Sequence, residues 1–321
     1  MAQKRIKKIY RHLRKPFEWF LVWLGEMIIP PLSLSGLLRF SRWIGDIAYT
    51  FDRQGRAIAH ANLKLIFGKR ITLPRERAIT RRAYRNMARV LMNIFWMSRD
   101  TLKRLQQTVT FSPCVLEELR ARQPAITVSA HIGNWEILSQ ACVSKGIPMM
   151  SVAKTTGSDE LTARLTRFRS TIGQQIVPSE GAVRHLMQAL KHGTSIGLLI
   201  DQHTHVWQGG AWVKLFGIPA GISLVPAALS RKFQVPIIFA WSRPYKDGRY
   251  RIEPSQIFSP APQQDDTATT QEIARAFERV IRKHPSLWCL NYRRWRYMLP
   301  DDDPARYPCY ARIERRVKSK A

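Results

Sequence analysis

From residue 124 onward the chain alternates short apolar runs with amphipathic stretches, and this alternation constrains its fold more than any other feature. Ala125–Ala130, Pro148–Ala153, Gln175–Val177, Ser195–Ile200, Val235–Trp241 and Tyr250–Glu253 read as strands. Between them, helical patterns run from Asn134 to about Val143, from Ser158 to just before Gly173, from about Gly181 to Lys191, and near Ser223–Phe233; Ala268–Lys283 is a last long helix. Asn134 and Ser158 are expected to cap their helices, and Gly193 is a C-terminal stop. A glycine-containing loop is expected after Asp201-Gln202. Such β/α alternation predicts an α/β fold, a mixed and mostly parallel sheet flanked by helices. Residues 36–110 read as helical, with Ile79, Ala83, Met87, Val90, Leu91, Ile94 and Phe95 forming an apolar stripe. Arg77, Arg81, Arg82, Arg85 and Arg89 fall mostly opposite, on an expected solvated face.

One strand end carries chemistry. Ala125–Ala130 leads into His131, followed by Ile132, Gly133, Asn134, Trp135 and Glu136. The end of a strand in an α/β sheet is the usual rim of a site. Gly133 permits a tight turn, and Glu136 falls in the first turn of the next helix, where the helix N-terminus favours its negative charge. The two side chains bracket one turn and can meet. A carboxylate accepting from one imidazole nitrogen fixes the tautomer and raises the basicity of the other nitrogen. His131 is then a candidate general base and Glu136 its orienter, with the nucleophile supplied by a substrate hydroxyl. A histidine closing a strand and a glutamate opening a helix also occur at this spacing by chance, so the spacing alone decides nothing.

The charge narrows the partners. The 321 residues hold 52 Lys+Arg against 23 Asp+Glu, a formal +29. That balance fits an anionic partner, such as nucleic acid, an anionic membrane surface or a phosphorylated substrate. Lys4, Arg5, Lys7, Lys8, Arg11, Arg14 and Lys15 precede an apolar stretch that starts at Phe17 and runs past Trp19, Phe20 and Trp23 to Pro30-Pro31. Basic residues beside aromatic rings suit an interfacial anchor, whereas Glu18, Glu26 and the prolines make a poor transmembrane span. The expected organisation is a basic membrane anchor over residues 1–35, a catalytic body over 36–298 and a basic, flexible tail over 299–321 that includes Arg312, Arg315, Arg316, Lys318 and Lys320. No zinc finger, RNP motif or helix-turn-helix signature supports nucleic acid as the partner. No glycine-rich phosphate loop or GxGxxG is present, and no cofactor is expected. The four cysteines stand far apart, which fits reduced thiols. His203 and His205 raise a metal reading, but no carboxylate neighbours them in sequence, so no metal site is expected.

At SAHIGNWE the chain resembles the HxxxxD/E box of the glycerolipid acyltransferase superfamily, and its Asn-Trp-Glu form is similar to the lipid A biosynthesis acyltransferases. Further matches follow in order: Arg56, Ala59 and Asn62-Leu63; Phe168-Arg169 with Gly173; Asp201-Gln202; Lys214 to Ala220; and Leu287-Trp288 with Arg293-Arg294-Trp295. Lys214-Leu215 and Asn291-Tyr292 depart from the family pattern. The resemblance covers roughly residues 35–298. It implies transfer of a fatty acyl chain from acyl carrier protein to a hydroxyl of a lipid A precursor, at the cytoplasmic face of a bacterial inner membrane. By that resemblance His131 takes the proton and Glu136 steadies the imidazolium. Arg169, with Arg167 second, would bind the developing oxyanion. Trp135 would wall the acyl groove, Asn134 would cap the helix, Asp201 would touch substrate or pin a loop, and Lys214 would pair with a phosphate of the substrate. Acyl transfer to a glycerolipid, a mannosylated lipid or an aminolipid is the nearest alternative, and a basic nucleic-acid-binding protein a more distant one.

Overall fold

The computed structural model describes residues 19–154, 159–259 and 263–314. Five elements open the described chain. Residues 19–28 are helical (α1), and α2 (Leu34–Phe51), α3 (Arg53–Phe67), α4 (Leu73–Met97) and α5 (Thr101–Thr108) follow. The expected helical region is thus present. It is followed by a strand and a helix that the sequence reading did not anticipate, β1 (Val109–Phe111) and α6 (Pro113–Ala121).

The rest alternates as expected: β2 (Ile126–Ser129), α7 (Glu136–Val143), β3 (Met149–Ala153), α8 (Asp159–Ser170), β4 (Gln175–Pro178), α9 (Ala182–Lys191) and β5 (Ser195–Leu199). The expected Ser158 cap lies outside the described residues. Where a loop was expected, β6 (Gly210–Leu215) and β7 (Ile218–Ser223) form an antiparallel hairpin. Then come α10 (Val225–Phe233), β8 (Ile237–Pro244), β9 (Tyr250–Phe258) and α11 (Asp266–Lys283).

Seven strands make one sheet in the order β1-β9-β8-β2-β5-β3-β4. Every neighbouring pair is parallel except β8–β9, so the sheet is mixed and mostly parallel. β2 lies between β8 and β5, and all four of its residues are buried. A strand covered on both faces reads as a continuous apolar run, as the sequence of β2 does. Alternate residues of β8 serve the two faces. Ile237, Phe239 and Trp241 join a core under α11, α3 and α10, while Ile238 and Ala240 join a second core with Leu37, Trp96 and Leu105.

The 25 residues of α4 span about 37 Å and reach both cores, with Ala83 in one and Trp96 and Met97 in the other. The predicted stripe is partly right: Ala83 and Val90 are buried, but Leu91 is exposed and Thr80 and Asn93 are buried. The arginine face is exposed at Arg77, Arg81 and Arg82, as expected, but it also binds other elements. Arg81 and Arg85 clamp Asp46 of α2 through hydrogen bonds of 2.6–3.0 Å, and Arg89 donates to the Gly248 carbonyl at 2.6 Å. Gly45 permits the close helix approach this needs, since a Cβ there would stand 2.5 Å from Arg85 Cα.

Two features bear on membrane contact. Among the described residues no helix is long and apolar enough to cross a membrane. Yet α1 exposes Phe20, Trp23 and Met27, and α2 exposes Trp43, Ile47 and Phe51 at four-residue steps along one face. The basic cluster Lys4–Lys15 lies outside the described residues, as do Arg315, Arg316, Lys318 and Lys320. The rest of the expected flexible tail is ordered as far as Glu314. β10 (Tyr297–Met298) pairs with β11 (Arg312–Ile313), Tyr307 is buried, and Tyr310 Oη donates to Asn62 Oδ1.

Candidate active site

The site forms where β2 and β5 end side by side. Their parallel register pairs Ser129 with Leu199. Two residues further on, the same register sets His131 beside Asp201. The imidazole Nδ1 lies 2.6 Å from Asp201 Oδ1. The turn that carries His131 is stitched to two other segments. Gly133 N donates to the Leu287 carbonyl at 2.9 Å, Cys289 N to the His131 carbonyl at 2.9 Å, and Asn134 N to Ser242 Oγ at 3.2 Å. Asn86 Nδ2 bridges the carbonyls of Gly133 and Leu287 at 3.2 and 3.3 Å. Gly133 has φ +65°, and a Cβ at this position would fall 1.7 Å from the Ser242 carbonyl oxygen. Only glycine fits this turn.

Asp201 is buried, with 2% of its surface exposed. Its second oxygen, Oδ2, accepts from Arg294 Nη2 at 2.7 Å, Arg294 Nε at 3.1 Å and Trp288 Nε1 at 2.9 Å. Arg294 is itself buried and stacks over the Trp288 ring at 3.7 Å. Burial alone would raise the Asp201 pKa, but Arg294 and His131 outweigh it and hold the carboxyl well below the usual carboxylate range. An ionised Asp201 accepts the Nδ1 proton, which leaves the lone pair on Nε2. Gln202 Nε2 sits 3.1 Å from that atom and donates to it.

Glu136 does not hold the imidazole. Its carboxylate takes a two-pronged pair from Arg169, with Nε to Oε2 at 2.8 Å and Nη2 to Oε1 at 2.9 Å. Trp135 Nε1 also donates to Oε1, at 3.2 Å. The expected His131–Glu136 pairing is therefore corrected: Asp201 is the carboxylate on the ring, and Glu136 fastens α8 to the start of α7. The reason is positional. Asp201 arrives along a neighbouring parallel strand, whereas Glu136 sits on the first helical turn, directed toward Arg169. Burial would lower the Arg169 pKa, but its bonds to Glu136 raise it above the ordinary value.

The other expected site residues fall into two groups. Trp135 adjoins His131, with ring centroids 5.0 Å apart. Asn134 is fully buried, and the N-cap of α7 is Trp135, with no side-chain cap bond, so Asn134 is not the helix cap expected. Arg167 is exposed on α8. Lys214 is exposed on β6, where its backbone pairs with Gln271 of α11 at 2.7 and 2.8 Å. No described contact joins Arg167 or Lys214 to His131. Arg294 and Trp288, which the sequence matches to the family without assigning a role, secure Asp201 here.

The model of the bacterial lipid A biosynthesis acyltransferase family matches residues 6–297, which include every group of this site. The chain belongs to that family. Phosphatidylinositol mannoside acyltransferase of Mycolicibacterium smegmatis is similar, 26% identical over 195 residues, 59% of this chain and 62% of that protein. The protein of that name from Mycobacterium tuberculosis is 23% identical over 186 residues, 55% of this chain and 56% of its own. The chain thus spans about six-tenths of the length of the curated relatives it matches. The histidine and the carboxylate that meet in this site stand at the ends of β2 and β5.

Proposed function

We propose that this protein is an O-acyltransferase that moves a fatty acyl chain from an acyl thioester to a hydroxyl of a membrane amphiphile. The observation that carries this reading is the Asp201–His131 contact of 2.6 Å, with Asp201 secured by the buried Arg294. His131 Nε2 removes the proton of the acceptor hydroxyl as its oxygen attacks the thioester carbonyl. Asp201 holds the ring and stabilises the imidazolium that forms. The tetrahedral intermediate collapses, the C–S bond breaks, and the imidazolium returns the proton to the departing thiolate. The oxyanion needs donors. Arg169 is the best candidate, because its two bonds to Glu136 leave three of its five N–H groups for a ligand.

The acceptor in this proposal is a lipid A precursor and the donor is acyl carrier protein, consistent with the family and with the +29 charge, which suits a phosphorylated acceptor and an acidic carrier. The site works from the cytoplasmic face of an inner membrane, docked through the aromatic faces of α1 and α2 and the basic residues before them. Similarity to the mannoside acyltransferases favours a second reading, a mannosylated lipid acceptor. One experiment tests both. Lipids are extracted from cells with the protein, without it, and with His131→Ala, and compared by mass spectrometry. A lipid A species heavier by one acyl chain only with the active protein supports the proposal. An acyl gain confined to a glycolipid selects the second reading, and no acyl difference in any lipid refutes both.

A further inference from the structure

Next to the base, the structure builds a cluster that the proposed reaction does not use. His203 and His205 follow Gln202 at alternate positions of an extended stretch, so both side chains reach one side. Glu314, at the end of the described chain, comes to meet them. His205 Nδ1 lies 2.6 Å from Glu314 Oε1, His203 Nε2 lies 3.9 Å from the same oxygen, and the two ring nitrogens are 3.2 Å apart. All three donor atoms fall within 4.8 Å of one another. Donor atoms held tetrahedrally at about 2.0–2.1 Å from one ion are about 3.3 Å apart. The observed triangle is that size to within side-chain adjustment.

The rings are fixed by packing rather than left to solvent. His205 stacks on Trp207 at 4.0 Å and 16°, and His203 is held between Tyr297 at 4.8 Å and Trp212 at 5.9 Å. Glu314 is positioned by backbone pairing, its N–H donating to the Met298 carbonyl at 3.0 Å. Two imidazoles and one carboxylate are a donor set for a borderline divalent ion. Glu314 also lies beyond residues 6–297, so the cluster is not a feature of the matched family region. The sequence concealed it because the carboxylate stands more than one hundred residues after the histidines.

We propose that His203, His205 and Glu314 bind a first-row divalent cation, Zn2+ foremost, which clips the C-terminal strap, residues 299–314, to the loop that follows β5. The ion has a structural role. Gln202 separates it from His131, so fixing this loop steadies the amide that faces the imidazole Nε2.

The test uses the full chain without a polyhistidine tag, in detergent micelles, stripped by chelator and titrated with Co2+ while visible absorption is followed. The wild type is expected to bind one Co2+ per chain, to release it to Zn2+, and to melt a few degrees higher with excess Zn2+. Glu314→Gln and His205→Gln each weaken binding at least 10-fold, while His60→Gln, beside a different carboxylate, leaves it unchanged. Absence of saturable Co2+ binding by the folded wild type overturns the proposal. So does wild-type affinity in both ligand variants.

Discussion

Replacing Asp201 by Asn changes one atom type and tests the whole electrostatic reading. The substitution keeps the shape but removes the charge on which three donors converge, two from Arg294 and one from Trp288, besides the imidazole. Two losses follow. Arg294, 1% exposed, keeps its charge without a counter-ion, and breaking a buried pair from one side costs about 3–5 kcal/mol. The second loss is chemical. An amide whose NH2 faces Nδ1 donates to it and moves the ring proton to Nε2, the atom that must accept. In a serine-protease triad the equivalent change lowers turnover by about 10⁴, and a loss of about 10³–10⁴-fold is expected here. The double variant Asp201→Asn/Arg294→Met separates the two effects, because it removes both charges. Its melting temperature should return most of the way to wild type while its activity stays lost. Glu136→Gln is the internal contrast. It loosens Arg169 and lowers the rate, but leaves the ring partner in place, so its loss should be well short of that of Asp201→Asn. The assay is the initial rate of acyl transfer from a thioester donor, read beside thermal melting. If Asp201→Asn keeps activity within about 10-fold of wild type while Glu136→Gln loses about 10³-fold or more, then Glu136, not Asp201, serves the imidazole and the argument fails.

Other outcomes follow from named contacts. Gly133→Ala drives a methyl group into the Ser242 carbonyl at a left-handed φ, so activity should vanish with a melting temperature several degrees lower; a wild-type melt would show that the turn relaxes cheaply. The Asp201 carboxyl is depressed in the folded state, so its stabilisation is complete above the unfolded pKa of about 3.9 and is lost as pH falls through the lower folded value. The part of the stability gap between wild type and Asp201→Asn that comes from this carboxyl should shrink as pH falls below about 4, measured by denaturant titration. Trp43→Ser with Phe51→Ser removes two rings that are 59% and 79% exposed, so folding should be unaffected. Each ring is worth about 1.5–3 kcal/mol when buried, so partition onto anionic vesicles in a sedimentation assay should fall by about 10-fold or more per ring. Unchanged partition would move the docking surface elsewhere.

How much of this was legible in the sequence depends on the range of the interactions. The β/α alternation is local, and it located β2, β3, β4 and β5 within a residue, and β8 within three, of where they lie. The expected base was local as well, since a histidine that closes an apolar run needs no tertiary information to be noticed. The hairpin β6–β7 was lost because its short strands mix glycine, proline and polar residues and draw their stability from α11, as the Gln271 bonds to the Lys214 backbone illustrate. The burial of Thr80 and Asn93 on α4 was hidden for a related reason: Asn93 donates to Tyr250 Oη, a partner 157 residues away.

The error over Glu136 is the instructive one. Sequence proximity made Glu136 the natural partner of His131, five residues away, and Asp201 only a substrate contact or a pin for a loop. Proximity along the chain favours contact through the small entropy of closing a short loop, and that entropy grows only slowly with length. In a folded parallel sheet the closure has already been made for other reasons, and strand order then decides which side chains meet. β5 returns between β2 and β3, so a residue seventy positions away lies beside His131, while Glu136 has begun a helix and turns its carboxylate to Arg169. The same logic joins Glu314 to His203 and His205. For a sheet of this order, the carboxylate to expect beside a strand-end histidine is one that ends the neighbouring strand at the same level. The DQ pair after β5 had that position, and only the order of strands, which no single sequence prints, was needed to see it.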